Sequence, residues 1–292
     1  MVAEITALRK LYPFKSHFFS HKDCSFHYID EGEGEPIVMV HGNPSWSFLF
    51  RNIVRPLRKK YRMVAMDHLG FGLSDKPRNF PYRLETHIDN FEAFMLSMKL
   101  ENVTLLVHDW GGPIGLGFAV RHPEKIKRII ITNTAAFAMD FIPLRIKIGK
   151  IPWLGRELIV DFNLFVRAAM FMTTEKPLPP EVKEAYMMPF RKRSSRIAIA
   201  KFVEDIPMLP EHSSFEVLLG IEHALWMFRK SPVAVIWGMK DWCFTPTFYE
   251  KWIDVFPQAD VLPIDNAGHW LFEDAAEDIV PFIEHFMTDS GN

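Results

Sequence analysis

The 292-residue sequence has little cysteine, little net charge and no long apolar run, and each shortage excludes a class of protein. Two cysteines, Cys24 and Cys243, are too few for a disulfide framework, which predicts a cytoplasmic location. A formal net charge of −2 gives no basic field for nucleic acid, so no nucleic-acid partner is expected. No apolar run approaches the roughly 18 residues of a transmembrane helix. The first residues also lack the apolar core of a secretory signal, so none is expected.

The sequence is instead rich in aromatic residues, with 26 Phe and 8 Trp, which favours a large apolar interior or pocket. Short β-branched runs alternate with helical patterns. The runs predict strands at 26–29, 37–40, 63–65, 104–107, 128–131, 234–237 and 261–263. The helical patterns cover 46–59, 85–98, 112–121, 247–255 and 275–286. This alternation predicts an α/β fold with a mostly parallel central sheet flanked by helices.

The alternation stops between residues 138 and 219. This stretch is helical in pattern, is rich in proline and contains no strand signal. We therefore expect an α/β core formed by residues 1–137 and 220–292. Residues 138–219 would form a helical cap, inserted between two strands and lying over the site.

The segment TLLVHDWGGPIGLGFAV has the pattern of a strand, a sharp turn and a helix, with Asp109 at the turn. This resembles the nucleophile elbow of the α/β-hydrolase fold, in which G-x-S-x-G presents a serine. The sequence contains no G-x-S-x-G, and Asp109 stands in the serine position. A carboxylate there can attack carbon and form an ester. The plainer interpretation is a helix cap.

Four other residues fit the same site. His269 follows the last predicted strand, which is where α/β-hydrolases carry the histidine that acts as general base. Asp241 follows the strand before it. The loop after residue 131, TNTAAF, holds no competing carboxylate, so Asp241 is predicted to orient the imidazole. The HGNP turn after the strand at 37–40 brings the backbone N–H of Asn43 beside that of Trp110, which predicts an oxyanion hole.

The motifs HGNPSWSFLFR, MDHLGFGLSDKP, VHDWGGPIG and AGHW together resemble those of the haloalkane dehalogenases. The resemblance implies hydrolytic dehalogenation through an ester on Asp109, with His269 activating water and no metal or organic cofactor. It also implies that the side chains of Trp110 and Asn43 bind the halide ion. The expected substrate is a small apolar molecule.

The phrases DFNLFVRAAMF and FVEDIPMLP, with Asp241 as the acid, are most similar to the third dehalogenase subfamily. That subfamily is similar to the β-lactone decarboxylases of olefin biosynthesis, which form long-chain alkenes. The alternative function is therefore decarboxylation of a β-lactone by the same residues. Long-chain substrates leave open a weak association with a membrane surface or a biosynthetic complex.

Other functions are less well supported by the sequence. Epoxide hydrolases use two tyrosines from the cap, and this cap offers only Tyr186. Fluoroacetate dehalogenases need arginines near the nucleophile, whereas Trp110 follows Asp109 here. A metal site at His17, His21, Cys24 and His27 is not expected, because strand alternation would separate them. A non-catalytic binding protein would have lost one of the three residues Asp109, Asp241 and His269, and all three are present.

Overall fold

The computed structural model describes residues 8–138, 144–151 and 154–289. Eight strands form one sheet in the spatial order β1-β2-β4-β3-β5-β6-β7-β8. β1 and β2 pair antiparallel, as do β2 and β4, and the other pairs are parallel. The strands are β1 (His17–His21), β2 (Cys24–Glu31), β3 (Pro36–Val40), β4 (Arg62–Met66), β5 (Val103–His108), β6 (Ile126–Thr132), β7 (Val233–Gly238) and β8 (Asp260–Ile264).

Helices cover the sheet and fill the connection between β6 and β7. They are α1 (Arg51–Leu57), α2 (Leu84–Met98), α3 (Gly111–Arg121), α4 (Leu144–Gly149), α5 (Leu154–Arg156), α6 (Leu164–Met172), α7 (Pro180–Met187), α8 (Ile197–Glu204), α9 (Phe215–Ala224), α10 (Pro246–Val255), α11 (Leu271–Asp274) and α12 (Ala276–Asp289). A π-helical turn, Glu157–Asp161, lies between α5 and α6. None of the helices in the described ranges is long and apolar enough to cross a bilayer.

The central strands carry apolar residues on both faces because helices cover both sides of the sheet. Every residue of β5 and of β7 is buried. The predicted α/β fold with a mostly parallel sheet is confirmed. All seven predicted strands are present and each is longer than predicted.

Two local features were not predicted. The edge strand β1, with sequence HFFSH, pairs with β2 and lacks a β-branched run. The helix predicted at 46–59 is a 3₁₀ turn, Ser47–Phe50, followed by α1. A parallel sheet brings the carboxyl ends of β3, β5, β7 and β8 to one edge. The residues after those four ends include Asn43, Asp109, Asp241 and His269.

Candidate active site

Asp109 occupies a sharp turn between β5 and α3, with a backbone φ of +52°. Non-glycine residues rarely adopt this left-handed conformation, and Asp and Asn tolerate it best. The backbone at Gly42 and at Gly111 packs closely around this turn. A Cβ at Gly42 would lie 1.8 Å from Oδ1 of Asp109, and a Cβ at Gly111 would lie 1.9 Å from the Val40 carbonyl oxygen. Glycine at these positions therefore lets the carboxylate stand at the end of the sheet.

Backbone N–H groups hold the Asp109 carboxylate. The N–H of Asn43 donates to Oδ1 over 2.5 Å, and the backbone N–H of Trp110 also interacts with the carboxylate. Burial raises the pKa of the Asp109 carboxyl, whereas His269 and these two N–H groups oppose the rise. Oδ1 is thus held by the N–H of Asn43, one of the two groups that the sequence predicted for an oxyanion hole.

The structure brings His269 between the two predicted carboxylates. Its Nδ1 lies 2.7 Å from Oδ2 of Asp241, and its Nε2 lies 3.7 Å from Oδ2 of Asp109. All three side chains are buried. Burial alone would lower the pKa of His269, but the carboxylates of Asp241 and Asp109 together outweigh it, and the pKa is raised from its usual value. The hydrogen bond to Asp241 leaves Nε2 facing Asp109.

Asp241 is fixed by donors that the sequence did not reveal. Its Oδ1 accepts from the backbone N–H groups of Cys243, at 2.6 Å, and Phe244, at 3.1 Å. Its Oδ2 accepts from Nδ2 of Asn133 at 2.9 Å. Asn133 follows β6, and its backbone carbonyl also accepts from the N–H of Asp109. This one residue therefore connects the loop of the nucleophile with the loop of the acid.

Two other rings contact the imidazole of His269. The ring of Phe244 stacks on it with a centroid distance of 5.6 Å, and the ring of His108 lies 4.7 Å away. His108 is the last residue of β5, directly before Asp109, and is fully buried. Burial lowers the pKa of His108 well below its usual value, so this ring stays neutral. The pair restricts how far the imidazole can tilt.

The predicted halide-binding side chains also face this site. The Trp110 ring packs against Phe202 of α8, at a centroid distance of 5.1 Å. Its indole N–H has no hydrogen-bond acceptor among the described residues. Nδ2 of Asn43 donates to the carbonyl oxygen of Ile199 over 3.2 Å, which uses one of its two N–H bonds. Both residues line the same cavity as Asp109.

A cavity of about 370 Å³ lies over Asp109, between the sheet edge and the helices that connect β6 to β7. Its walls are mainly apolar and include Phe137, Ile159, Phe165, Met172 and Phe248. Within the described part of the chain, no arginine, lysine or tyrosine lines it. The site therefore suits an apolar substrate and offers no cation to bind a carboxylate group.

Tyr186 does not face the cavity. Its hydroxyl donates to the Glu273 carboxylate, which also receives a bidentate hydrogen bond from Arg51. The Tyr186 ring stacks on Trp270, next to His269, at a centroid distance of 4.1 Å. The tyrosine required for the epoxide hydrolase interpretation is thus engaged in a buried contact between the cap and the core.

The loop of His269 is attached to the end of α6 by backbone hydrogen bonds. The N–H of Trp270 donates to the carbonyl oxygen of Thr173 over 2.7 Å. Asp274 accepts from the N–H of Gly268 at 2.8 Å and from that of Glu175 at 3.0 Å. These contacts fix the cap helix and the imidazole loop relative to each other.

No group of three or more His, Cys, Asp or Glu side chains with metal-binding geometry occurs in residues 8–138, 144–151 and 154–289. The site contains instead the Asp109 carboxylate, the His269 imidazole and the Asp241 carboxylate, with the imidazole next to both carboxylates. The backbone N–H of Asn43 donates to the Asp109 carboxylate. Such an arrangement supports displacement at carbon by the carboxylate and later activation of water by the imidazole.

Comparisons with known proteins agree with the fold. The model of the alpha/beta hydrolase fold family matches residues 35–276. The chain is 42% identical to a cis-3-alkyl-4-alkyloxetan-2-one decarboxylase of Shewanella oneidensis over 97% of this chain and 91% of the relative. It is 32% identical to haloalkane dehalogenase 2 of Mycobacterium bovis, over 98% of this chain and 100% of that one. The crystal structure of a haloalkane dehalogenase from Bradyrhizobium elkani superposes with a TM-score of 0.85 and 22% identity, covering 95% of this chain and all of that chain.

Proposed function

Because this chain belongs to the α/β-hydrolase fold family, as an enzyme of the haloalkane dehalogenase type, we propose that Asp109 attacks a saturated carbon of an apolar substrate and becomes its alkyl ester. The resemblance predicted from the sequence is confirmed by the comparisons. The observation that carries the proposal is the Asp109 carboxylate itself. One of its oxygens is held by the Asn43 N–H, and the other lies 3.7 Å from the imidazole of His269, at the floor of an apolar cavity.

In the first step, Oδ2 of Asp109 attacks carbon while the bond from that carbon to the leaving group breaks. The leaving group departs with the electron pair. The Trp110 indole N–H and the remaining Asn43 amide N–H stabilise its negative charge. Oδ1, held by the backbone N–H of Asn43, becomes the carbonyl oxygen of the new ester. This step is the same for a haloalkane and for a β-lactone.

For a haloalkane, the ester must then be hydrolysed. His269 takes a proton from water, and the resulting hydroxide attacks the carboxyl carbon of Asp109. The oxyanion that forms on Oδ1 is stabilised by the N–H groups of Asn43 and Trp110. Collapse breaks the bond between this carbon and the alkyl oxygen. The alcohol leaves with a proton from the imidazolium, and the overall products are alcohol, halide and a proton.

For a β-lactone, no water is consumed. Attack at ring carbon 4 breaks its bond to the ring oxygen and leaves a free carboxylate on carbon 3. The bond from carbon 3 to that carboxylate then breaks, its electrons form the double bond, and Asp109 leaves from carbon 4. The products are carbon dioxide, an alkene and the regenerated carboxylate. Inversion at carbon 4 places Asp109 anti to the departing carboxylate, so a cis-lactone gives a cis-alkene without rotation.

We propose the β-lactone as the substrate that this site serves best. The decarboxylase relative is 42% identical to the chain and the dehalogenase relative is 32% identical. Hydrolytic dehalogenation, the function predicted first from the sequence, is also supported and is kept as the other candidate. It is favoured by the match to haloalkane dehalogenase 2 and by the free indole N–H of Trp110 at the cavity wall, within the described residues.

Three further assignments accompany this proposal. Residues 138–219 act as a cap that closes the cavity over the core formed by 1–137 and 220–292. The catalytic roles of Asp109, His269 and Asp241 are supported by the distances between them, and the leaving-group roles of Asn43 and Trp110 by their position at the cavity wall. The enzyme works in the cytoplasm, in keeping with Cys24 and Cys243, which are both free thiols.

A parallel assay tests the proposal. Purified protein is given cis-3,4-dialkyl-β-lactones in one arm and 1-iodoalkanes in the other, and alkene or halide release is followed at several concentrations. The proposal predicts a kcat/KM for the lactone that exceeds that for the iodoalkane, with cis-alkene as product. A higher kcat/KM for the iodoalkane would assign the enzyme to hydrolytic dehalogenation. Activity in neither arm would contradict both.

A further inference from the structure

The cavity opens on a part of the cap where apolar side chains are exposed to solvent. Ile148 of α4 and Leu164 of α6 both line the cavity, and both are more than a third exposed. A side chain that both lines the cavity and is exposed to solvent lies at the opening of the cavity. On the other side of the opening, Pro207 and Met208 line the cavity, and the adjacent Leu209 is 64% exposed. The opening is thus bordered by apolar side chains.

The apolar border continues outward along two helices. Phe171 lies seven residues after Leu164 on α6, so the two share one face of that helix, and Phe171 is 73% exposed. Ile151 lies three residues after Ile148, and its N–H donates to the Ile148 carbonyl oxygen, so it lies on the same side. Phe162 directly precedes α6 and is exposed. We define the mouth surface as Ile148, Ile151, Phe162, Leu164, Phe171 and Leu209.

The two sides of the mouth surface are held together. Nζ of Lys150, next to Ile151, donates to the carbonyl oxygens of Val203, Glu204 and Ile206, which lead directly to Pro207 and Met208. These exposed apolar groups form a patch around the opening, whereas single apolar residues scattered over a surface are normal. Such patches mark sites of interaction with another apolar surface.

The charge of this region differs from that of the whole chain. Residues 144–172 contain five Lys or Arg and only two Asp or Glu, whereas the whole chain has a net charge of −2. One of the two acids, Asp161, is paired with Arg193. Arg167 is exposed on α6 between Leu164 and Phe171, and Lys183 lies over the ring of Phe171 at 4.0 Å. Basic residues therefore intersperse the apolar ones.

We propose that the mouth surface docks on a lipid bilayer that carries anionic headgroups. Exposed Phe and Leu side chains enter the boundary between headgroups and acyl chains, and Arg167 and its basic neighbours contact the phosphates. A substrate with alkyl arms then enters the cavity from the membrane and does not cross water. This route of entry rests on the proposed function, but the docking does not.

Vesicle flotation of the full chain tests docking without turnover. Vesicles contain phosphatidylcholine alone or phosphatidylcholine mixed with phosphatidylglycerol, at low and at high salt. We expect binding to the mixed vesicles that weakens as salt rises. Phe171→Asp should abolish it, and Arg167→Glu should weaken it at least about fivefold. Neither residue lines the cavity, so halide release from a short, water-soluble iodoalkane should stay unchanged in both variants.

Two matched variants serve as controls. Phe18→Asp changes an exposed Phe on the edge strand β1, and Lys230→Glu reverses an exposed charge outside the cap. Both should bind vesicles like the unchanged protein. Absence of binding by the unchanged protein, or equal loss in the controls, would overturn the proposal. A dimer that Phe171→Asp dissociates, without vesicle binding, would assign the surface to a second copy and would also overturn it. If the unchanged protein binds vesicles but turns over neither the lactone nor the iodoalkane, the proposed function is contradicted and the docking is not.

Discussion

The backbone N–H of Asn43 donates to Oδ1 of Asp109, the side chain that we assign as the nucleophile, over 2.5 Å. In a serine hydrolase the oxyanion hole receives an oxygen of the substrate. Here the N–H of Asn43 already holds an oxygen of the protein, so an oxyanion formed during the proposed ester hydrolysis would develop on Asp109 itself. The hydrogen bond also distinguishes the two oxygens, because only Oδ2 is left to attack.

Asp109→Asn should abolish turnover while the fold survives. Asn tolerates the left-handed backbone of the elbow and keeps the size of the side chain, but its amide is not a nucleophile. We expect kcat on either substrate to fall at least about a thousandfold. Since burial disfavours the charge of Asp109, the midpoint of thermal unfolding should not fall. The exposed Asp265→Asn is the control and should be fully active; residual activity of Asp109→Asn near that level would remove Asp109 as nucleophile.

Trp110→Phe should slow the first step selectively. Phe keeps an aromatic ring beside Phe202 but is smaller than Trp and lacks the indole N–H, one of the two donors assigned to the leaving group. Loss of one such donor costs about 10²–10³-fold in rate. Halide release in single-turnover measurements should fall by that factor, with unchanged thermal unfolding. The exposed Trp226→Phe should behave like the unchanged protein, and an unaffected first step in Trp110→Phe would show that the indole donor is dispensable.

The pH profiles should differ between the two reactions. Ester hydrolysis needs neutral His269, whose pKa the carboxylates of Asp241 and Asp109 together raise from its usual value. Halide turnover should therefore decline as the pH falls through that raised pKa, and be full above it. Decarboxylation needs ionised Asp109 but no base, so its rate should not follow the protonation of His269. Profiles of kcat against pH for both substrates check this. If kcat declines at the same acidic pH for both, the lactone reaction would also depend on His269 as a base, which would contradict the proposed decarboxylation without water.

Tyr186→Phe should affect stability more than turnover. The change removes the hydroxyl that donates to Glu273 but keeps the ring stacked on Trp270 and the pairing with Arg51. We expect the free energy of unfolding to fall by about 1–3 kcal/mol, as for other lost donors to buried groups. Denaturant unfolding and kcat are measured together, with Tyr249→Phe as control. A large loss of kcat at unchanged stability would give Tyr186 a catalytic role.

The sequence allowed prediction of those parts of the site that follow strand ends. Asp109, Asp241 and His269 each follow the end of a strand within five residues, and parallel strands bring such positions to one edge of the sheet. Residues that act through contacts distant in sequence were not predictable in this way. The contact of Asn133 with Asp241 and the packing of His108 on His269 depend on how β5, β6 and β7 align. The same holds for Tyr186 and Glu273, which meet only because the cap folds back on the core.

The most direct test of the central claim is mass spectrometry of His269→Phe after mixing with a 1-iodoalkane. Phe preserves a ring beside Phe244 and His108, and the variant lacks only the base that releases the ester. We predict one equivalent of released halide and a stable increase in protein mass by one alkyl group, located by peptide mapping on Asp109. An unmodified Asp109 with continued halide release, or an alkyl group on another residue, would contradict the account.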